Sequence, residues 1–261
     1  MTNRSDRRAL PDVTLVAVSS IAIQPTINAL RTSMRTLSFG QVLLLSDEQP
    51  AELDSTITWH PIKRLDSRLD YSRFMLRELA QHISTSHVLC IQWDGFVLNG
   101  AEWQARFLEY DYIGSVWPHF RDNHNVGNGG FSLRSRRLLA ACRDLPLTGE
   151  PEDVIISRIQ RSRLEDLGMS FAPESVARQF AYERTAPTGR EFGFHGAFNL
   201  VRHLSKDDAL RVFRSLEPQV LAKNEQWELL RWAVFRGRMR FALAMLARLY
   251  YRGKIAKVRS A

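Results

Sequence analysis

His87-Val88-Leu89-Cys90-Ile91-Gln92-Trp93-Asp94-Gly95-Phe96-Val97-Leu98-Asn99 is the stretch whose reading decides the fold. Val88 to Ile91 are apolar and uncharged, the pattern of a strand buried on both faces in a parallel sheet covered by helices. Asp94 follows at the carboxyl end of that strand, where ligands bind in open α/β sheets, and Gly95 lets the backbone turn or approach a ligand closely. Taken alone, an Asp-Gly pair is a turn signal. The rest of the chain gives the acid a second reading, as a candidate metal-side or phosphate-side residue.

Upstream, Val13 to Val18 reads as an apolar strand, and Pro25 opens a helix with Ile27, Leu30, Met34 and Leu37 near helical spacing. Gln41 to Leu45 is a second strand ending at Ser46-Asp47, and Thr56 to Trp59 a short third. A charged loop from Lys63 to Asp70 and a helix from about Tyr71 to Ile83 lead into the organising strand. This strand-helix-strand rhythm predicts right-handed parallel crossovers in a mostly parallel α/β sheet flanked by helices. It lacks both a Gly-rich dinucleotide fingerprint and a Walker-type lysine loop, which weakens a kinase, ATPase or dehydrogenase reading.

Downstream the pattern changes. Trp103 and Phe107 suggest a short helix, Asp111-Tyr112-Ile113-Gly114 a short strand, and Trp117-Pro118-His119-Phe120 an aromatic loop. In Val126-Gly127-Asn128-Gly129-Gly130-Phe131-Ser132-Leu133-Arg134-Ser135, three glycines and an asparagine in four positions predict a loop in which backbone bends tightly or passes close to something. A glycine-rich hairpin is the plainer alternative. Ser135 then caps a helix carrying Leu138 and Leu139. Pro151-Glu152-Asp153 has the composition that helix starts favour on electrostatic grounds alone. Adjacent helical residues diverge by roughly 100°, so at most one of the two carboxylates can aim at a given reacting atom. In Glu191-Phe192-Gly193-Phe194-His195-Gly196 a lone histidine sits among aromatics and glycines, and such a residue is more often hydrogen-bonded core than ligand.

In this order, these motifs resemble a bacterial family known mainly as a domain of unknown function and grouped with GT-A fold glycosyltransferases. The motifs are Gln92 to Asn99, Tyr110 to Gly114 with Trp117-Pro118, Gly127 to Ser135, Pro151-Glu152-Asp153 and Phe192 to Gly196, and the likeness covers roughly Val13 to Asn199. GT-A enzymes carry an Asp-X-Asp motif after a central strand, and the matching triplet here is Gln92-Trp93-Asp94. The resemblance therefore implies Asp94 as the metal-facing carboxylate, with His195 completing the metal site, and Mn²⁺ or Mg²⁺ as cofactor. Gln92 stands where the first acid would be, which puts metal dependence in question and leaves Gln92 a sugar or ribose contact. Without a metal, Arg73, Lys63 or Arg64 would have to neutralise the diphosphate. Of the Glu-Asp pair, Asp153 is implied as catalytic base, with Glu152 orienting an acceptor hydroxyl or supporting the loop. Donor contacts are expected from Ser19, Ser46, Tyr71, Ser72, Arg73, Gln92 and Trp93, with Gly129 and Gly130 letting backbone approach the donor sugar. Trp117 and Asn128 are the acceptor-side candidates, Trp117 being equally readable as a buried core tryptophan.

The chain has 261 residues, 44% of them hydrophobic, and a net charge of +8. That is ordinary for a globular protein with a proper core, and the charge speaks about partners more than fold. The polar start, Met1 to Arg8, has no apolar h-region behind it and no apolar run reaches the length of a membrane span, which places the protein in the cytoplasm. Cys90 and Cys142 read as small core residues, not as a disulfide pair. From Ser205 onward helices are expected, with no acid after Glu228 and Arg231, Arg236, Arg238, Arg240, Arg248, Arg252, Lys254, Lys257 and Arg259 interleaved with apolar residues. Such a segment suits either an amphipathic helix at the anionic inner face of the membrane or a packed helix with a solvated basic face. No motif supports nucleic-acid recognition.

The expected architecture is a polar segment over residues 1–11, a GT-A-like α/β catalytic domain over residues 12–204 and a basic helical extension over residues 205–261. The expected function is an inverting glycosyltransferase that moves a sugar from a nucleotide-diphosphate sugar, with a UDP-sugar as the expected donor, to a glycan or glycolipid acceptor such as a surface polysaccharide. A glycoside or phosphodiester hydrolase using Asp94 with Asp153, and an inactive nucleotide-sugar binding protein, are the alternatives.

Overall fold

The computed structural model describes residues 7–217 and 220–259, with side chains to residue 250. Residues 1–6 of the polar start, and the side chains of Arg252, Lys254, Lys257 and Arg259, lie outside the described residues. The chain divides into two compact units, Met1–His195 and Gly196–Ala261.

In the first unit the elements run β1 (Arg8–Val18), α1 (Ile23–Ser33), β2 (Leu37–Ser46), β3 (Thr58–Pro61), α2 (Arg68–Arg77), β4 (His87–Ile91), β5 (Phe96–Val97), β6 (Tyr112–Ile113), β7 (Ser115–Val116), β8 (Val126–Gly127) and β9 (Phe131–Ser135). They continue through α3 (Arg136–Cys142), α4 (Glu152–Val154), α5 (Arg161–Asp166), α6 (Glu174–Phe180), β10 (Ala181–Tyr182) and β11 (Gly193–Phe194). The central sheet has the order β3-β2-β1-β4-β9-β6. Its first four strands are parallel and β9 and β6 run antiparallel to their neighbours. The mostly parallel α/β sheet expected from the apolar runs is therefore present, with β1 beginning at Arg8, five residues before the apolar run starts. Every residue of β4 is buried, as an uncharged central strand requires.

Alternation along the strands supplies the layers. Val16, Val18, Leu43, Leu45, Val88 and Cys90 pack with Phe74 and Met75 of α2 and Leu139 of α3 on one face. Leu15 and Ala17 point the other way, and α1 packs on β1 and β2. Beyond α3 a second cluster gathers Tyr112, Leu138, Cys142, Ile155, Ile156 and Leu164. Burial pushes the thiols of Cys90 and Cys142 up to about 11 and about 12, and both are free, so they are inert core residues.

Some elements differ from the local reading. Trp103 follows the 3-10 turn Gly100–Glu102 and Phe107 sits in the 3-10 turn Ala105–Glu109, and the two rings pack edge-to-face at 5.5 Å. The glycine loop is shorter than expected, because Phe131 to Ser135 is strand: tertiary pairing with β4 extends it into the sheet. Ser135 caps α3 as expected, accepting from the Leu138 amide. Asp111 is structural. Its carboxylate takes hydrogen bonds from Ser135, Arg137 and the Ser170 amide, and these hold its pKa below the usual carboxylate range against the upward push of burial.

The second unit consists of α7 (Ala197–His203), α8 (Lys206–Ser215), α9 (Lys223–Phe235) and α10 (Met239–Arg259). Its interior is built on Phe213, Phe241 and Met245, with Phe213 and Phe241 edge-to-face at 5.1 Å. Among the described residues no helix is long and apolar enough to cross a membrane.

Candidate active site

The site grows out of strand register. β9 pairs antiparallel with β4 with Ile91 opposite Phe131, so the next step brings Gln92 to Gly130, and the Gln92 amide donates to the Gly130 carbonyl at 3.0 Å. A small sheet of order β10-β11-β5 lies beside it, in which Phe194 faces Phe96 on one side and Tyr182 on the other. Continuing that register by one residue places His195 between Gly95 and Glu183. Residues a hundred positions apart in the sequence are thus brought to one point.

His195 is flanked by two carboxylates. Its Nε2 lies 3.3 Å from Asp94 Oδ1 and 3.2 Å from Gln92 Oε1, and its Nδ1 lies 3.4 Å from Glu183 Oε1. Burial disfavours the imidazolium, yet the charge of Asp94, with Glu183 on the other nitrogen, overrides it and raises the pKa well above the ordinary value. Gln92 is held from behind as well, its Nε2 donating to the Tyr71 hydroxyl at 3.1 Å. The glycines here are steric necessities. A Cβ on Gly130 would sit 2.0 Å from His195 Nε2, and one on Gly95 would sit 2.7 Å from the Phe194 carbonyl oxygen.

On the other side of the same loop are the paired acids. Asp153 Oδ2 accepts from the Gly129 amide at 2.8 Å, and a Cβ on Gly129 would lie 2.1 Å from Glu152 Oε1. The two carboxylates have diverged as helical geometry demands, and they have different environments. Glu152 is 4% exposed and bonded at 3.0 Å to Arg134, which is fully buried. Asp153 is partly exposed and has no cation bonded to it in the described structure; burial, reinforced by the neighbouring Glu152 charge, pushes its pKa up to about 6. A π-helical turn, Ile155–Ile159, follows directly, the kind of local irregularity often found at functional sites.

The remaining candidates are distributed less favourably. Ser72 is buried beneath Glu152, accepting from its amide, and Ser46 is fully buried between the Trp59 indole and the Glu48 carbonyl. Ser19 accepts from the Ala22 amide at the start of α1. Asn128 is 3% exposed at φ 77°, and its Oδ1 accepts from the Gly130 amide, so it shapes the loop from within. Trp117 is buried against Gly127, where a Cβ would come 2.2 Å from its ring. Trp93 is half-buried beside Asp94 in the chain. Arg73 and Arg64 are exposed and pair with Asp70, and with Asp47 and Asp66, while Lys63 is exposed. Glu183 and Arg134 were not singled out from the sequence. The single signal available was an arginine in a strand pairing with the buried central strand, which demands a buried partner.

Asp94 and His195 have the chemistry of metal ligands. Asp94 Oδ1 is buried and has His195 Nε2 as its 3.3 Å neighbour. Two ligands at right angles on a cation, each about 2.1 Å away, are separated by about 3 Å, close to the 3.3 Å between Asp94 Oδ1 and His195 Nε2. A carboxylate behind the second ring nitrogen is the usual way a ligating histidine is oriented. Among the described residues there is no group of three or more acidic, histidine or cysteine side chains set to hold an ion. A cation held by Asp94 and His195 would take further ligands from bound ligand and water.

The fold and the acid-lined end of the sheet define an α/β protein with a candidate active site built on strand ends and a glycine loop. The chain belongs to the family described as protein of unknown function (DUF5672), whose profile matches residues 55–195. That span contains Asp94, the glycine loop, the paired acids, Glu183 and His195. No curated protein matches the chain. Among solved structures, a similar one is the mannosyltransferase PcManGT from Pyrobaculum calidifontis in complex with GDP-Man and Mn²⁺, 12% identical, with 95% of this chain and 78% of that chain covered at a TM-score of 0.44. A likeness at that level says nothing about the donor or metal of this chain.

Proposed function

We propose that this protein is a GT-A-like inverting glycosyltransferase that moves a sugar from a nucleotide-diphosphate sugar, with a UDP-sugar as the expected donor, to a hydroxyl of a glycan acceptor such as a surface polysaccharide. The observation that carries the reading is Asp153: a partly exposed carboxylate with a pKa near 6, fixed by the Gly129 amide on the loop that also packs against His195. At neutral pH such a group is ionised, yet basic enough to accept the proton of an attacking hydroxyl. The hydroxyl oxygen then bonds to the anomeric carbon as the bond to the diphosphate breaks. Glu152, neutralised by Arg134, holds the loop and leaves the proton to its neighbour. Tyr71 fixes Gln92, and Gln92 presents its amide beside His195 at the donor side.

A divalent cation bound by Asp94 and His195 would offset the negative charge of the leaving diphosphate. Glu183 would accept the Nδ1 proton and so orient the ring, while a cation would take the place of the Nε2 proton that faces Asp94. Glu183→Gln is expected to weaken Mn²⁺ binding by about 10- to 100-fold, read by direct Mn²⁺ titration of the protein without donor. Unchanged affinity would remove Glu183 from that role.

The test of the function is a thermal-denaturation screen of nucleotide diphosphates and nucleotide sugars, with and without Mn²⁺, on wild type and Asp94→Ala. A ligand at about 100 times its Kd stabilises the native state by about 2.7 kcal/mol. One nucleotide family should raise the midpoint with Mn²⁺, and Asp94→Ala should lose that increment. The stabilising sugar nucleotide should be consumed when a glycan acceptor is added. If no nucleotide stabilises the protein, the transferase reading fails and a hydrolase using Asp94 with Asp153 takes its place.

A further inference from the structure

The last helix of the second unit has two faces of different character. Phe241, Ala242 and Met245 face the interior, and Arg248 is tied to the end of α8 by hydrogen bonds to the carbonyls of Phe213, Leu216 and Glu217. Met239, Leu243, Leu246 and Tyr250 follow one another at intervals of four, three and four residues, which places them within an arc of about 60° on a helix. They are exposed, at 58%, 61%, 46% and 63%. Just before α10, Phe235 is 94% exposed. Isolated apolar residues on a surface need no explanation, but a row of four along one helix face, with an almost fully exposed phenylalanine at the end of α9, marks a surface that meets something.

The charge around it identifies the partner. Residues 229–261 contain nine Arg or Lys and no Asp or Glu. Arg231, Arg236 and Arg240 are exposed. A second copy of the chain would set these cations against their own kind, whereas an anionic bilayer complements every one of them and accepts the apolar row below its headgroups. We infer that α10 and the end of α9 form an interfacial membrane-binding surface, selective for anionic lipid, that holds the protein on a bilayer without crossing it. This inference does not depend on the activity proposed for the first unit.

The test is sedimentation of the full chain with vesicles of phosphatidylcholine alone or mixed with phosphatidylglycerol. Binding should be at least about 10-fold stronger on the mixed vesicles, from electrostatic attraction of several basic side chains, and should weaken as salt screens it. Phe235→Ser with Leu243→Ser, both at exposed positions, should reduce binding to the mixed vesicles at unchanged melting temperature. Arg236→Gln with Arg240→Gln should reduce the preference for anionic lipid. Equal binding to both vesicles, or none, would overturn the inference. So would a concentration-dependent dimer in sedimentation that Leu243→Ser dissociates while vesicle binding is absent.

Discussion

Asp153→Asn should reduce the transfer rate by about 10²- to 10⁴-fold, the range associated with a positioned general base, while donor-induced stabilisation stays near the wild-type value. The pH dependence gives the same group a second signature. Burial, with the Glu152 charge beside it, pushes the pKa of Asp153 up to about 6, above the ordinary carboxylate range. Its working form is therefore present above about pH 6 and lost as pH falls through it, so log kcat/KM should drop with unit slope on the acid side. Because Glu152 adjoins it, the midpoint belongs to the pair of acids and not to one carboxylate in isolation. The same shift makes a statement about stability. A carboxylate whose folded pKa is raised binds its proton more tightly in the native state, so its contribution to stability falls as pH rises from about 4 to about 6. The free carboxylate at the site is kept at a cost to the fold. A flat acid limb, or full activity in Asp153→Asn, would show that another group takes the proton.

Arg134→Met should destabilise the first unit by about 3–5 kcal/mol, the usual result of removing one partner of a buried ion pair. Arg134 is fully buried on β9, its Nε donates to Ser132 at 3.0 Å, and its guanidinium is the cation bonded to Glu152. Removing it leaves a carboxylate at 4% exposure with no countercharge, directly against the glycine loop. The double variant Arg134→Met with Glu152→Gln removes both charges and should recover much of the loss, because the larger part of the penalty is the unpaired carboxylate. Denaturant unfolding of the two variants and wild type measures the difference. Loss of less than about 1 kcal/mol in Arg134→Met would mean that Glu152 is neutral in the native protein or finds water.

The acidic pair shows where sequence reading stops. Helical geometry alone dictates that Glu152 and Asp153 point different ways, and that only one can serve the site. Which one is paired with a cation is decided by Arg134, eighteen residues earlier, whose side chain is bonded to Glu152. An arginine in a buried strand announces a buried partner without naming it.

The sequence by itself determined the central strand, the acid at its end, the need for glycine at Gly129 and Gly130, the cap on α3 and the basic, acid-free end of the chain. Each is a local matter: uncharged runs, backbone freedom, a hydroxyl at a helix start, a count of charges. Tertiary structure alone decided that Glu183 stands behind His195, that Asn128 and Ser72 face inward, that Trp117 covers Gly127, and that the apolar residues of α10 form two faces, one buried and one bare. Register is the physical reason. Tyr182, Phe194 and Phe96 are aligned by backbone hydrogen bonds across β10, β11 and β5, and a slip of one residue in any of those pairings would turn the site residues to the opposite face.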